Sequence, residues 1–336
     1  MEEKRMSILV TGAAGLLGSH LVDRLLQRGY RVTGIDNLSI GSIDNLEEAL
    51  RHPNFVFHRM DVLDRDSLGN LDPHNMIVHM AAYKIEVPGL FGTDILEVNS
   101  RGSANMLALA HSWSARFVFA STSDVYGKNT TMPFNETCDL LLGPSNVSRW
   151  AYAASKIFDE HLCFAYQRRY GLPIVVIRYF NTYGPRHELT PRSGGPQALF
   201  FHAILSRDAL TVHGDGSQRR CFAYIDDSIE MTVRVIESDA TVGEIVNIGN
   251  PDNEIRIIDL AELACRVAGL KAPFPIRMIR HETVYQTTRF EEVHRRVPDI
   301  SKARRLLKYS PCISNEEGMR RTFLWQSGLR CYAESV

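Results

Sequence analysis

The glycine-rich segment after the first apolar run constrains the fold of this chain more than any other feature. Residues 7–10 form a short apolar run that predicts a strand, and residues 19–28 have apolar side chains at helical spacing. Between them lie Gly12, Gly15 and Gly18. Glycines at such a strand-to-helix turn let the backbone approach a pyrophosphate, which then rests on the helix N-terminus. The segment therefore predicts a dinucleotide site, although its Gly-x-x-Gly-x-x-Gly spacing differs from the commoner Gly-x-Gly-x-x-Gly pattern.

An acidic residue ends the second predicted strand, residues 31–35. Asp36 stands where a carboxylate binds the hydroxyls of an adenosine ribose and repels a 2′-phosphate. Residues 37–41 contain no arginine or lysine that would attract such a phosphate. We therefore expect NAD rather than NADP as the cofactor. The alternative is that Asp36 only begins a turn.

The order of predicted strands and helices indicates the fold class α/β. Further strands are predicted over residues 55–58, 76–80, 116–120 and 174–179, with a helix over residues 94–112. This alternation implies a Rossmann-type, doubly wound parallel sheet with a smaller C-terminal α/β substrate domain. We expect the NAD-binding domain to comprise residues 1–180 and about 222–249. The substrate domain would comprise residues 181–221 and 250–336.

Tyr152 and Lys156 are the strongest catalytic candidates outside the cofactor segment. They lie four residues apart within residues 149–156, an alanine-rich segment that favours a helix. On a helix both side chains lie on one face, where the ammonium group would stabilise the phenolate and lower the pKa of the tyrosine. Tyr152 would then act as an acid or base near neutral pH. The alternative is a half-buried tyrosine beside a solvated lysine.

Charge and cysteine content exclude several classes of protein. The chain has 38 basic and 39 acidic residues, so nothing favours a nucleic acid or an anionic membrane as partner. The apolar run at residues 8–10 is too short for a signal peptide or a membrane span. The six cysteines include no Cys-x-x-Cys pair, which predicts reduced thiols rather than disulfides or a metal site. We therefore expect a cytoplasmic protein that binds no metal.

Taken together, the motifs of this chain resemble the extended short-chain dehydrogenase/reductase family. Within that family they resemble the NAD-dependent epimerase/dehydratase group, which acts on nucleotide sugars. The matching positions extend from the first strand into the predicted substrate domain, so the resemblance covers nearly the whole chain. They are Gly12, Gly15, Gly18, Asp36, Asp61, residues 79–82, Asn99, residues 121–123, Tyr152, Lys156 and residues 178–185.

The resemblance implies a catalytic triad. Tyr152 would take the proton of a sugar hydroxyl while a hydride passes to NAD, and Lys156 would lower the pKa of the phenol and hold the nicotinamide ribose. Thr122 would share a hydrogen bond with the reacting hydroxyl, and Ser123 and Asp124 beside it are further catalytic candidates. The other predicted NAD contacts are Ala14, Leu16, Leu17, Asn37, Asp61, Val62, Met80, Ala81, Ala82, Asn99 and Tyr179.

The predicted substrate contacts are mostly cationic. Guanidinium groups match phosphate geometry, so Arg219 or Arg220 is expected at a diphosphate; the alternative is that both lie on the surface. Asn181 corresponds to a sugar-nucleotide contact of the family, and residues 194–205 are expected to cover the pocket. The remaining predicted substrate contacts are Lys84, Arg186 and Arg296.

Two further expectations depend on the resemblance alone. Asp226 and Asp227 fall where the family begins a helix, so we expect them to cap that helix rather than to bind a metal. Helices around residues 94–112 and 152–170 are expected to form the interface of a homodimer.

Members of the family share the oxidation at C4 of the sugar and differ in the step that follows. A ketone at C4 makes the C5 proton acidic. A carboxylate at C6 is then lost as CO2, whereas a hydroxyl at C6 is eliminated by a dehydratase. If the ketone is instead reduced from its other face, the enzyme is a 4-epimerase.

Several segments resemble the UDP-glucuronate decarboxylase branch of the family, namely residues 121–127, 143–144, 149–152 and 247–254. Arg296 falls where those enzymes carry an arginine at the sugar carboxylate; the alternatives for it are a phosphate clamp and a surface residue. Two positions depart from that branch. Asp124 replaces a glutamate, and residues 83–88 do not match, so that Lys84 either faces the pocket, as a carboxylate ligand or a base, or is solvated.

We therefore predict an NAD-dependent nucleotide-sugar enzyme that oxidises C4, most closely a UDP-glucuronate decarboxylase assisted by Asp124 and Arg296. The first alternative is a UDP-sugar 4-epimerase acting on a hexose or a hexuronate. A nucleotide-sugar dehydratase is less favoured, because a single acid follows Thr122. A non-catalytic NAD-sensing protein is the alternative from another class, and the intact Tyr152 and Lys156 argue against it.

Overall fold

The structure is a computed structural model that describes residues 6–84, 92–187, 195–280, 291 and 293–328. Its strands are β1 (Ser7–Thr11), β2 (Arg31–Asp36), β3 (Phe55–Arg59), β4 (Met76–His79), β5 (Arg116–Thr122), β6 (Ile174–Tyr179), β7 (Thr182–Tyr183), β8 (Leu210–His213), β9 (Arg219–Cys221), β10 (Ala223–Tyr224), β11 (Ile245–Ile248), β12 (Glu254–Arg256), β13 (Ile276–Ile279) and β14 (Arg295–Arg296). Its helices are α1 (Leu16–Gln27), α2 (Arg65–Leu68), α3 (Gly92–Trp113), α4 (Ala151–Tyr170), α5 (Pro196–Leu205), α6 (Ile225–Glu237), α7 (Ile257–Val267), α8 (Ser301–Leu307) and α9 (Asn315–Gln326).

Seven parallel strands form the central sheet, in the order β11-β6-β5-β4-β1-β2-β3. Successive side chains of a strand point to opposite faces. In β1, Ile8 and Val10 pack into one apolar core with α1 and α6, whereas Leu9 packs into a second core with α3 and α4. Because helices cover both faces, the strands are nearly continuous apolar runs. The predicted doubly wound α/β fold is confirmed.

The order of the strands reverses beside β1, which pairs with β2 on one side and with β4 on the other. Open α/β sheets bind ligands at such a point, beyond the carboxyl ends of the strands. The segments that leave β1, β4, β5 and β6 all begin at this edge. The fold therefore brings together the glycine loop, the residues after His79, Thr122 and Asn181.

The strand β11 comes late in the chain yet pairs with β6 at one end of the central sheet. This strand lies within residues 222–249, which we expected to fold with residues 1–180. Between and after these strands the chain forms small sheets, β12-β9-β14, β13-β8 and β10-β7. The boundaries of the two domains stay predictions.

Some element boundaries differ from the sequence-based expectation. Helix α1 begins at Leu16, because Gly15 is its N-cap and the turn is tighter than expected. Strand β5 continues to Thr122, which pairs with Tyr179 of β6, so the hydroxyl cluster lies at the strand end itself. The short strands β7–β10 and β12–β14 were not predicted, because runs of two to four residues show no periodicity.

The expectation that Asp226 and Asp227 cap a helix is wrong, since neither makes a side-chain capping hydrogen bond to α6. Their side chains reach other segments of the chain instead. Buried Asp227 accepts a hydrogen bond from the Tyr309 hydroxyl at 2.6 Å. It also accepts from the backbone N–H groups of Cys312 and Ile313 at 3.0 and 2.9 Å. Asp227 therefore fastens the segment between α8 and α9 to α6.

No helix in the described part of the chain is long and apolar enough to cross a membrane. The cysteines there, at positions 138, 163, 221, 265 and 312, are free thiols. Cys331 lies outside the described residues, as do residues 85–88 of the unmatched loop and Gly194 of the segment expected to cover the pocket.

Candidate active site

A cavity of about 950 Å³ lies at the carboxyl edge of the central sheet and extends toward the small sheets. Such a volume suits a cofactor or small-molecule site. The cavity brings together twenty of the predicted site residues. These are Gly12, Gly15, Leu16, Leu17, Gly18, Asp36, Asn37, Val62, Met80, Ala81, Ala82, Lys84, Thr122, Ser123, Asp124, Tyr152, Lys156, Tyr179, Asn181 and Arg186.

The glycine loop forms one wall of this cavity at the start of α1. Gly12 has a φ of +67°, and a Cβ there would lie 2.8 Å from the backbone nitrogen of Ala81. A Cβ on Gly18 would collide with the carbonyl of Gly12. A Cβ on Gly15 would meet only that same carbonyl, at 3.3 Å, and would fill the space in front of the helix N-terminus. These residues fit a pyrophosphate held against backbone N–H groups.

Asp36 lies at the next strand end along the cavity. Its Oδ1 accepts a hydrogen bond from the backbone N–H of Leu38 at 2.8 Å, and its Oδ2 accepts one from that of Ala14 at 3.0 Å. Burial raises the pKa of Asp36, and the two hydrogen bonds act in the opposite direction. Asp36 thus makes the turn and lines the cavity, and its remaining lone pairs fit ribose hydroxyls.

Three further carboxylates near this end of the cavity were missed in the sequence. Asp44, Glu47 and Glu48 all line it, in the segment that follows β2. Negative charge there disfavours the 2′-phosphate of NADP. The signal was visible as an acidic cluster soon after Asp36, but only the fold shows that it faces the cofactor side.

Two predicted NAD contacts lie behind the cavity wall and hold other groups in place. The carboxylate of Asp61 accepts hydrogen bonds from the Asn37 side chain and the Leu63 backbone, at 2.9 and 2.8 Å. Asn99 is buried, and its amide accepts from the backbone N–H of Tyr83 and donates to the carbonyl of the same residue, at 2.9 and 3.0 Å. Their contacts in the structure are with the chain itself.

Tyr152 and Lys156 project from the first turns of α4 into the cavity. The Lys156 side chain is buried, and its Nζ donates to the Ala120 carbonyl at 2.9 Å and lies 4.5 Å from the centre of the Phe119 ring. Thr122, at the end of β5, accepts a hydrogen bond from the backbone N–H of Asp124 at 3.2 Å.

We expected the pKa of Tyr152 to be lowered, but in the structure it is raised. Burial raises the pKa of Tyr152 above its usual value, and the negative charge of Asp124 raises it further. A hydrogen bond with Thr122 acts in the opposite direction. Burial also lowers the pKa of Lys156, although the charge of Asp159 opposes this. The expectation was wrong because it considered the charge of Lys156 and not the cost of burying an ionised phenol.

Asp124 is surrounded by cations. The Nη1 of Arg296 donates to its Oδ1 at 2.7 Å and to the Ser123 hydroxyl at 3.3 Å. Burial by itself raises the pKa of Asp124, but the charges of Arg296, Lys84 and Arg149 outweigh this and hold the pKa well below its usual range. One carboxylate therefore faces three cations at the end of the cavity next to Tyr152.

These cations are placed at different depths. Lys84 is exposed and lines the cavity. Arg296 is buried and is not among the residues that line the cavity, so its charge acts from behind Asp124 and Ser123. The resemblance placed Arg296 directly at a sugar carboxylate, whereas the structure places Lys84 closer to the open space.

The other predicted substrate arginines differ in position. Arg186 lines the cavity and forms an ion pair with Asp23 at 2.7 Å. Arg219 is exposed on β9, where its Nε donates to Glu254 at 2.9 Å, and neither Arg219 nor Arg220 lines the cavity. β9 pairs with β12, the strand that carries Glu254, and this pairing explains the ion pair. Gly195, Pro196 and Gln197, in the segment expected to cover the pocket, line the cavity. Ser39, Tyr83, Phe222 and Trp325 line it without having been predicted.

The glycine cradle, the acidic strand end and the tyrosine–lysine pair on one cavity are typical of a Rossmann-fold enzyme that binds a nicotinamide dinucleotide. The model of the NAD dependent epimerase/dehydratase family matches residues 8–249. The chain therefore belongs to this family, and its cofactor is NAD.

Several known relatives cover nearly the whole chain. UDP-N-acetyl-alpha-D-glucosaminuronate decarboxylase of Bacillus cytotoxicus is 36% identical over 94% of this chain and 96% of its own. UDP-glucuronic acid decarboxylase 1 of Arabidopsis thaliana is 36% identical over 95% of this chain and 69% of its own. The solved structure of UDP-glucuronic acid 4-epimerase from Bacillus cereus, in complex with UDP-glucuronic acid and NAD, is 30% identical. It superposes with a TM-score of 0.82 over 96% of this chain and all of its own.

Proposed function

We propose that the protein is an NAD-dependent decarboxylase of a UDP-linked hexuronate. The observation that carries this proposal is the group of cations that acts on Asp124 beside the cavity. Three cations, Arg296, Lys84 and Arg149, act on this one carboxylate. A carboxylate brought there by a substrate would be attracted by Lys84, which lines the cavity, and by the charge of Arg296 behind Asp124. A neutral hydroxymethyl group at C6 would gain nothing comparable.

The first step of the proposed reaction is oxidation at C4 of the sugar. Bound NAD supplies the hydride acceptor for this step. Tyr152 takes the proton of the C4 hydroxyl, and Thr122, whose hydroxyl counteracts the rise in the pKa of the phenol, orients the reacting oxygen. Lys156 holds positive charge beneath the site through its fixed contact with the Ala120 carbonyl. Because burial raises the pKa of Tyr152, positive charge close to the phenol is needed before it can act as a base.

The second step is loss of CO2 from the resulting 4-keto acid. The C5–C6 bond breaks, its electron pair moves toward the C4 oxygen, and C5 then takes up a proton. Lys84 binds the departing carboxylate from the open side of the cavity, with the charge of Arg296 behind it. Tyr152 and Thr122 stabilise the oxygen on which negative charge develops.

The relatives support the same reaction class. Both decarboxylases named above act on a UDP-linked glucuronate, one with an N-acetyl group and one without. Both UDP-glucuronate and its 2-acetamido counterpart are therefore candidate substrates for this chain.

Mass spectrometry of the reaction with each candidate nucleotide sugar and NAD tests the proposal. We expect the sugar nucleotide to lose about 44 mass units, the mass of CO2, when the hydride returns to C4 within the turnover, and about 46, the mass of CO2 and two hydrogens, when the 4-ketone is released. Tyr152→Phe should keep its NAD while turnover falls by ~10²–10⁴, because the proton acceptor is removed. If neither substrate changes in mass, the proposal of a decarboxylase is wrong.

A hexuronate 4-epimerase is the second candidate function. The likeness to the UDP-glucuronic acid 4-epimerase of Bacillus cereus favours it, and the same triad and carboxylate site would serve. In this case the mass stays unchanged and a new stereoisomer accumulates. Nuclear magnetic resonance of the sugar ring separates the two reactions in one experiment.

We also propose that the protein forms a homodimer through α3 and α4. Leu96 on α3 and Phe158 and Tyr170 on α4 are exposed apolar side chains. Light scattering should give the mass of a dimer for the native protein and of a monomer for Phe158→Glu. A monomeric native protein would contradict this proposal. The cytoplasmic location stays a prediction.

A further inference from the structure

Tyr83 and Ser39 form a hydrogen bond that crosses the cofactor end of the cavity. Ser39 follows β2 and Tyr83 follows β4, and these strands flank β1 in the sheet. The Tyr83 hydroxyl donates to the Ser39 Oγ at 2.9 Å, and both residues line the cavity. The glycine loop leaves β1 between them. The contact therefore joins the two sides of the groove in which the dinucleotide is expected.

The Tyr83 end of this bridge is held in place by buried groups. The Asn99 side chain accepts from the backbone N–H of Tyr83 at 2.9 Å and donates to its carbonyl at 3.0 Å. The same amide nitrogen of Asn99 lies 3.0 Å from the hydroxyl of Ser155, the residue before Lys156. Tyr83 is thus fixed relative to the catalytic helix.

The Ser39 end is fixed as well. The Oγ of Ser39 donates to the Asn37 side chain at 2.6 Å, so it is free to accept from Tyr83. Asn37 in turn donates to Asp61 at 2.9 Å. Both partners are ordered before they meet, so little conformational entropy is lost when the bond forms. A hydrogen bond between two such partners is stronger than one between mobile surface groups.

We propose that the Tyr83–Ser39 bridge retains NAD in the enzyme. A dinucleotide lying along the glycine loop passes beneath the bridge, so its release requires that this bond break. The bridge slows dissociation and lets one cofactor molecule accept and return a hydride within a turnover. This inference depends on NAD binding and not on the sugar reaction, so it holds for a decarboxylase and for an epimerase.

The segment that carries the bridge is also the one that departs from the decarboxylase pattern. Tyr83 begins the residues that do not match that branch, and Lys84 follows it into the sugar end of the cavity. One short segment thus contacts both the cofactor groove and the sugar site. Retention of NAD is therefore expected to be a property of this chain's own loop.

The test is the rate at which prebound NADH leaves the protein in the absence of any sugar. NADH fluorescence is followed after mixing with excess NAD. We expect Tyr83→Phe and Ser39→Ala each to speed release by about 3–10-fold, the worth of one hydrogen bond. The double variant should release NADH no faster than the faster single variant, because both changes remove the same bond.

The matched control is Tyr30→Phe, which removes a tyrosine hydroxyl that contacts Glu237 outside the cavity, at 3.4 Å. Its release rate should equal that of the native protein. Unchanged release in Tyr83→Phe would overturn the inference, as would rate increases that multiply in the double variant. Equal melting temperatures of the cofactor-free native protein and Tyr83→Phe would separate retention from a general loss of stability. Failure here leaves the sugar reaction untouched, since no sugar is present.

Discussion

Two arginine–carboxylate pairs lie near the catalytic helix, and they differ in burial and in how many hydrogen bonds join the two side chains. Arg178 donates to Glu160 through Nε and Nη2, at 3.0 and 2.7 Å, and both side chains are at most 5% exposed. Arg296 donates to Asp124 through one nitrogen, and this carboxylate is 25% exposed. The Nε of Arg296 has no hydrogen-bond partner among the described residues.

The surroundings of the two pairs differ as well, since the Arg178–Glu160 pair has further partners. The hydroxyl of Ser121 donates to Glu160, and Arg178 also stacks 4.9 Å from the centre of the Tyr126 ring. That pair is closed, because its charges balance and its polar atoms are occupied. Asp124, in contrast, is acted on by the charges of Arg296, Lys84 and Arg149. Closed pairs of this kind maintain a fold, whereas an uncompensated charge at a cavity is typical of a ligand site.

The largest effect on stability should come from removing the charge of Glu160, the counter-charge of Arg178. Glu160→Gln leaves the buried guanidinium of Arg178 without a counter-charge, and we expect the free energy of unfolding to fall by about 3–5 kcal/mol. Denaturant titration measures this loss. The double variant Glu160→Gln with Arg178→Met should recover part of it. A stability close to that of the native protein in Glu160→Gln would show that the two pairs do not differ in kind.

Removing the positive charge of the Arg296–Asp124 pair should lower activity more than stability. Arg296→Met removes the cation that acts most strongly on Asp124. We expect kcat/KM for the hexuronate to fall by about 30–150-fold, or 2–3 kcal/mol. Arg296→Lys should restore part of the loss. UDP-glucose lacks the carboxylate. If Arg296→Met weakens the binding of UDP-glucose as much as that of the hexuronate, the charge does not recognise a carboxylate.

The pH dependence of stability tests a buried group outside the cavity, His79. Burial, and then the charge of Lys156, lower the pKa of His79 from 6.5 to about 3. Between these values the unfolded chain binds a proton that the folded chain does not, so stability falls as the pH falls below 6.5. From pH 6.5 to pH 5 this amounts to about 2 kcal/mol. His79→Gln should lose less stability than the native protein over this range; equal losses would contradict the assignment.

Charge at the mouth of the cavity should have the smallest effect. Lys84 is exposed, so its attraction for a substrate carboxylate is screened by solvent. For Lys84→Gln we expect KM for the hexuronate to rise about 3–10-fold, with kcat nearly unchanged. The rise should shrink at high ionic strength. A larger fall in kcat than rise in KM would instead indicate that Lys84 transfers a proton.

The sequence was sufficient for features whose partners are close along the chain. The glycine loop, Asp36 and the Tyr152–Lys156 pair each belong to one strand-loop-helix unit or one helical turn, so local spacing predicts their geometry. The parallel sheet followed from the alternation of such units. The comparisons with relatives then confirmed the family and its cofactor.

The sequence was not sufficient where partners are far apart or where burial decides the outcome. Nothing near Arg296 indicates that Asp124 would be its partner. Arg219 or Arg220 was expected at a diphosphate on the chemistry of its side chain, and no local pattern indicated that the pairing of β9 with β12 would place Glu254 beside Arg219. The pKa of Tyr152 depends on how deeply the fold buries the phenol, which no spacing reveals.

The position of β11 has a consequence for how the chain is made. This strand closes one side of β6, yet it is synthesised only after residues 181–244. While the ribosome is still producing those residues, β6 is an edge with unpaired backbone N–H and C=O groups, and such an edge pairs readily with other chains. We therefore expect the nascent protein to be most prone to aggregation late in translation, when the cofactor half is almost complete but its last strand is still inside the ribosome.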